Sequence, residues 1–166
     1  MNRIAASLIV LGMMALTCAV TPAAAGPLAP LKASVLGSFF FHECASDAPP
    51  SALCLHDEVT GTVTHLGRTT GNFEVVFDIA QFGEDGCGPI KKTGAFTAAN
   101  GDQLRIEADG QFCFATVVAI YTYNITGGTG RFTGASGSGS WVVPPPINFD
   151  GVAGVGDEFL LGGLVK

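Results

Sequence analysis

HECASDAPPSALCLH, residues 42–56, sets two cysteines and two histidines within fifteen positions, the densest group of ligating and redox-active side chains in the chain. Two chemistries are open to it. Thiolates and imidazoles together bind zinc, but structural zinc sites use close pairs of ligands, and H-x-C-x9-C-x-H around His42, Cys44, Cys54 and His56 matches none of the usual spacings. The other chemistry is oxidation to a disulfide. Cys87 and Cys113 supply a second pair, so the cysteines beyond residue 25 are even in number, as an oxidising compartment requires. Three pairings are open; local closure across ASDAPPSAL favours Cys44 with Cys54, which leaves Cys87 with Cys113. Each bridge would contribute about 2–4 kcal/mol, mainly by restricting the unfolded chain. No metal is expected.

Other candidates are sparse. No Ser-His-Asp set can be drawn, because the chain has three histidines and two of them belong to the cysteine segment. The third, His65, alternates in phase with Val59 and Val63 and is expected on the face that turns toward the core. There the imidazole would be a polar group in apolar surroundings and would need a hydroxyl or carbonyl partner. Tyr121 and Tyr123 share a strand face and are its expected companions; their alternative role is packing. Arg68 is expected at a rim or in a solvated turn. Glu74, Asp78 and Glu107 fall opposite apolar faces, and Arg131 is expected to fix its own corner by bonding carbonyls.

ITGGTGRFTGASGSGS (Ile125–Ser140) invites a nucleotide reading. It is not a P-loop, because no Lys-Ser or Lys-Thr follows the glycines, and its spacing does not fit a dinucleotide fingerprint. Arg131 and Phe132 sit among the glycines with apolar strands on either side, which also argues against a flexible linker. The expected structure is a tight corner, with glycine allowing positive φ and close backbone approach, and Phe132 plugging the end of the fold. No organic cofactor is expected.

The elements that must position these residues read as strands. EVTGTVTHL, NFEVVFDIA and QLRIEAD alternate apolar and polar residues with period two, the mark of a sheet with one buried face. ASVLGSFFF, KKTGAFTAA, GSWVV and DEFLLGGLV add further strands. QFCFATVVAIYTYNIT is apolar on both faces and is expected to be one long strand, bulged or covered on both sides. Turns are expected at TTGN before Phe73, EDGCGP before Ile90, NGD at Asn100 and DG at Asp109. No segment after Gly26 carries a helical pattern over three turns, and no fixed repeat is visible. Seven to nine short antiparallel strands imply an all-β sandwich or barrel.

Residues 1–25 read as a cleaved signal peptide: Arg3, then an uncharged run from Ile4 to Val20, then A-x-A at Ala23 and Ala25. Pro22 and the small residues around it argue against a membrane anchor, and Ala15 and Thr17 fit a lipoprotein site at Cys18 poorly. Residues 26–166 then form one domain, secreted or periplasmic, with no membrane association after cleavage. Loss of Arg3 leaves seven basic residues against fourteen acidic ones. With no basic run, nucleic acid is excluded as an expected partner.

GTVTHLGR (Gly61 to Arg68) and the GGTGRFTGA segment of the glycine-rich stretch resemble the exported bacterial members of the allene oxide cyclase-like barrel superfamily, which includes the dirigent proteins. The dirigent GGTG-[KR]-F-x-x-A segment is matched by Gly127, Gly128, Thr129, Gly130, Arg131, Phe132 and Ala135. The resemblance implies a single antiparallel barrel of about eight strands, an interior able to hold an apolar ligand, homo-oligomers, and chemistry by confinement without a cofactor. It carries over no catalytic residue. Three functions follow as expectations: an exported barrel that binds a small apolar molecule, a cofactor-independent cyclase or isomerase acting on a reactive unsaturated substrate, and a surface interaction module using Trp141 and the proline loop. A cavity with a buried polar group would favour the enzyme, a cavity without one the binder.

Overall fold

The computed structural model of the protein describes residues 28–165. The expected signal peptide, its cleavage point after Ala25, and Cys18 lie outside the described residues. Nine strands follow one another: β1 (Ala29–His42), β2 (Ala52–Val63), β3 (Gly67–Asp78), β4 (Cys87–Ala98), β5 (Gln103–Cys113), β6 (Val118–Gly128), β7 (Ser136–Val143), β8 (Asn148–Phe149) and β9 (Ala153–Val165). Each of β1 to β7 pairs antiparallel with the next, β7 pairs with β9, and β9 returns to β1, with Ala33 opposite both Val63 and Leu160. The result is a closed eight-stranded antiparallel barrel, with β8 a two-residue addition on β9. Closure removes the unpaired edges that an open sheet of these strands would leave.

The period-two pattern dictates which side chains enter. On β3, Phe73, Val75 and Phe77 are buried and alternate with residues turned outward; on β5, Leu104, Ile106 and Ala108 do the same. The glycine-rich corner forms the 3-10 turn Gly130–Phe132 and closes one end of the barrel, where Phe132, Leu66 and Ala135 are all buried. Gly130 has φ +55, and a Cβ there would run into the Asp102 carboxylate. Arg131 holds the same corner, its Nε 3.5 Å from Asp102 Oδ2 and its Nη2 3.5 Å from the Leu66 carbonyl. Gly130→Val is therefore expected to cost about 1–3 kcal/mol in urea unfolding, and a loss under half of that would mean that the corner tolerates a side chain.

The opposite end carries both disulfides, Cys44–Cys54 and Cys87–Cys113. The first ties the loop between β1 and β2; the second joins directly opposed residues of β4 and β5. Serine replacement of Cys44 and Cys54 together is expected to lower stability by about 2–3 kcal/mol, measured by denaturant midpoint without reductant.

Several local expectations are corrected. QFCFATVVAIYTYNIT is two strands, not one: the chain reverses at Phe114–Val117, with Val117 at φ +53 and its N–H donating to the Cys113 carbonyl at 2.8 Å. TTGN and Asp109–Gly110 lie inside β3 and β5 instead of in turns. A Cβ at Gly71 would strike Val59 and Phe73, and one at Gly110 would strike the Ile120 carbonyl, so these glycines make room within the wall. The turns at Glu84–Gly86 and Asn100–Gly101 stand where expected.

Candidate functional site

Three charged residues enter the barrel in phase with its apolar ones. Asp57 follows the inward rhythm of Val59 and Val63 on β2, Lys92 that of Ile90 and Phe96 on β4, and Glu158 that of Leu160 and Leu164 on β9. Closure of the barrel brings them together, at 2%, 2% and 3% exposure. Lys92 Nζ donates to Asp57 Oδ2 at 2.5 Å and to Glu158 Oε2 at 2.7 Å. Trp141 Nε1 donates to the same Glu158 oxygen at 2.7 Å, and its ring lies beneath the ammonium, 4.0 Å from Nζ to the centroid. Phe73 and Phe96 pack against Trp141 and complete the support.

Gly37 belongs to this arrangement. A Cβ there would meet Glu158 Oε1 and Asp57 Oδ1, so its bare backbone is what lets the two carboxyl groups approach on that side. With both carboxyl groups ionised, Asp57 Oδ1 is buried without a hydrogen-bond donor, and a proton on Glu158 would supply one.

The electrostatics follow from two acids sharing one base in a dry interior. Burial raises the Glu158 carboxyl; Lys92 pulls it back down, and the Asp57 charge and a hydrogen bond between the carboxyl groups push it up again, leaving it at about 7. Burial alone would depress the Lys92 ammonium, but Glu158 and then Asp57 outweigh it and the net displacement is upward. Burial, with Glu158 and Asp57 adding to it, pushes the Tyr121 phenol well above its ordinary value.

These groups form the floor of a cavity of about 330 Å³ that opens toward the disulfide end. Phe39, Phe41, Leu55, Val75, Phe77 and Phe112 make its walls, and Phe114, Val117, Pro144, Pro146 and Phe149 stand around its mouth. Tyr121 joins Asp57, Lys92 and Glu158 in the lining. The volume falls within the range of small-molecule sites, and so does the character, an apolar cup with few convergent polar groups.

The residues singled out from sequence are distributed differently. Tyr121 and Tyr123 do share the inner face, but only Tyr121 lines the cup. Tyr123 lies deeper, its hydroxyl without a partner against Gly139 and Gly162, and burial pushes its phenol to about 12. His65 is not on the inner face. β2 ends at Val63, and His65 is exposed in the following turn at φ +68, with its Nε2 3.0 Å from the Pro30 carbonyl. The turn interrupts the alternation that would have carried it inward. His65→Ala is expected to leave cup binding unchanged and to alter the melting free energy by under about 0.5 kcal/mol, and a marked loss of binding would count against this placement.

Arg68 is exposed at the start of β3, and Glu107 is exposed as expected. Asp78 accepts hydrogen bonds from Ser51 and Gln81, and Glu74 pairs on the outer wall with His42 at 2.8 Å. With Cys44 and Cys54 bridged, those sulfurs are not thiolates, and His42 and His56 lie on either side of the Glu74 carboxylate. Trp141 is fully buried, so it cannot serve as an exposed contact for a surface module. The proline loop lines the cup's mouth.

The fold is similar to that of a solved pterocarpan synthase dirigent protein, GePTS1, with a TM-score of 0.51 over 84% of this chain and 86% of that chain at 14% sequence identity. At that identity the likeness establishes a dirigent-like barrel and nothing finer. No protein-family model matches the sequence, and no curated protein matches it.

Proposed function

We propose that the protein is exported by its N-terminal signal segment, cleaved before Gly26, and holds a small, largely apolar molecule in the cup. The cup itself carries this reading: about 330 Å³ walled by phenylalanine and aliphatic side chains, open at one end and stopped at the other. The two disulfides suit an oxidising destination. A neutral fluorescent probe such as N-phenyl-1-naphthylamine is expected to brighten on mixing with the 26–166 protein. Ala119→Trp, which puts a large ring into the cup from its wall, should abolish the signal while the barrel stays folded. No brightening with the wild type, or equal brightening with the variant, would remove the cup as the binding site.

The floor favours a second reading, a cofactor-independent isomerase or cyclase. A buried carboxyl whose proton is held to about pH 7 beside an ammonium is a group that could polarise or protonate a bound unsaturated molecule. In that case a reactive substrate would be converted faster by the wild type than by Glu158→Gln, with both proteins binding the neutral probe equally. Equal rates would leave binding as the function.

A further inference from the structure

The hydrogen-bonding inventory of the floor limits what the cup accepts. Lys92 spends two N–H groups on Asp57 and Glu158 and turns its remaining side to the Trp141 ring; the indole N–H is spent on Glu158. Tyr121 is the remaining hydroxyl of the floor, and it both donates and accepts. The unspent capacity is otherwise acceptor capacity: Asp57 Oδ1, which lies beside Glu158 Oε1 at Gly37. Two carboxyl groups also face a single ammonium, so the fully ionised floor carries one net negative charge behind apolar walls, where charge interactions are little screened.

We infer that the cup selects apolar molecules with a hydrogen-bond-donating head, an amine above all and then an alcohol, and rejects those ending in a carboxylate. The inference rests on the cup being a ligand site and names the ligand class for it. A carboxylate would have to take Lys92 from partners that already hold it, and would bring a third negative oxygen pair into a buried site. An ammonium or hydroxyl head supplies the donor that the carboxylates lack. When no ligand is present, a proton on Glu158 bonded to Asp57 does that work, so the proton and the ligand head compete. The groups facing Glu158 are Lys92 on β4, Asp57 on β2, Tyr121 on β6 and Trp141 on β7, and of these Lys92 alone is cationic.

Trp141 is the chain's single tryptophan, so its fluorescence reports on the floor directly. The test titrates octylamine, 1-octanol and octanoate, which share one tail, into the 26–166 protein at pH 6 and pH 8. The expected order of affinity at pH 8 is octylamine, octanol, then octanoate at least tenfold weaker than the amine. Octylamine should bind about tenfold more tightly at pH 8 than at pH 6, because it displaces a proton held to about pH 7. In Glu158→Gln that pH dependence should vanish; should this variant fail to fold, Asp57→Asn is expected to reduce the amine's advantage over octanol. Octanoate binding as tightly as octylamine at pH 8 would overturn the head preference and leave the cup standing. No response to any of the three, with the neutral probe also silent, would remove the cup reading and this inference together.

Discussion

Lys92→Met is expected to destabilise the protein by about 3–5 kcal/mol, read as a shift in urea midpoint with unchanged slope. The methionine fills similar space, so the loss is not a packing loss. What it removes is the ammonium between Asp57 and Glu158, leaving two carboxyl groups in an interior that reaches only 2–3% exposure. One of them can neutralise by taking a proton, as Glu158 already tends to, but the second then stays charged or also protonates at a cost set by the pH. The attraction within the trio is not itself the source of stability. Dehydrating three charges consumes much of it, so replacing the trio by apolar residues (Lys92→Met with Asp57→Leu and Glu158→Leu) should recover most of the loss. A single variant that loses less than about 1 kcal/mol would mean that water reaches the floor and that the trio is not buried in solution.

That trio shows where the sequence was legible and where it was not. The strands were readable because one buried face imposes period two, and EVTGTVTHL and NFEVVFDIA carry it openly. The pairing of the cysteines was readable because the shorter loop closes most easily, and the corner at Gly130 because few other residues adopt its backbone. The floor is hidden by a default: charge on a strand is ordinarily turned to water, as the antiphase of Glu74, Asp78 and Glu107 with their apolar neighbours suggests for them. The signal was the reverse. Asp57, Lys92 and Glu158 are each in phase with buried residues on both sides or one, and an inward charge needs an inward partner of opposite sign. Their meeting depends on the register of eight strands and on closure, which no single strand displays. His65 failed for a local reason, because alternation says nothing about where a strand stops.

Stability is expected to fall as pH rises from about 5 to 8, opposite to ordinary acid denaturation, with Glu158 as the cause. Its folded carboxyl keeps a proton up to about pH 7, whereas an unfolded glutamate releases it near the ordinary value of 4.5. Between those two values the folded state binds more protons, so the free energy of unfolding declines with pH, by on the order of 3 kcal/mol across the window, and then levels off. Below the lower value this contribution is fully present. Asp78 and Asp150 act in the other direction and in another range. Hydrogen bonds from Ser51 and Gln81, and from the backbone at Ala153 and Val152, hold these carboxyls below the ordinary 3.8, so their contribution is lost only as pH falls beneath that value. The outer-wall histidines beside Glu74 are common to both proteins, so the comparison of wild type with Glu158→Gln isolates the floor. Chemical unfolding at pH 5, 6, 7 and 8 should give a declining series for the wild type and a flatter one for the variant, the two separating toward high pH because only the wild type has to ionise a buried carboxyl there. Parallel series would show that Glu158 is ionised throughout, and that Lys92 alone decides the charge of the floor.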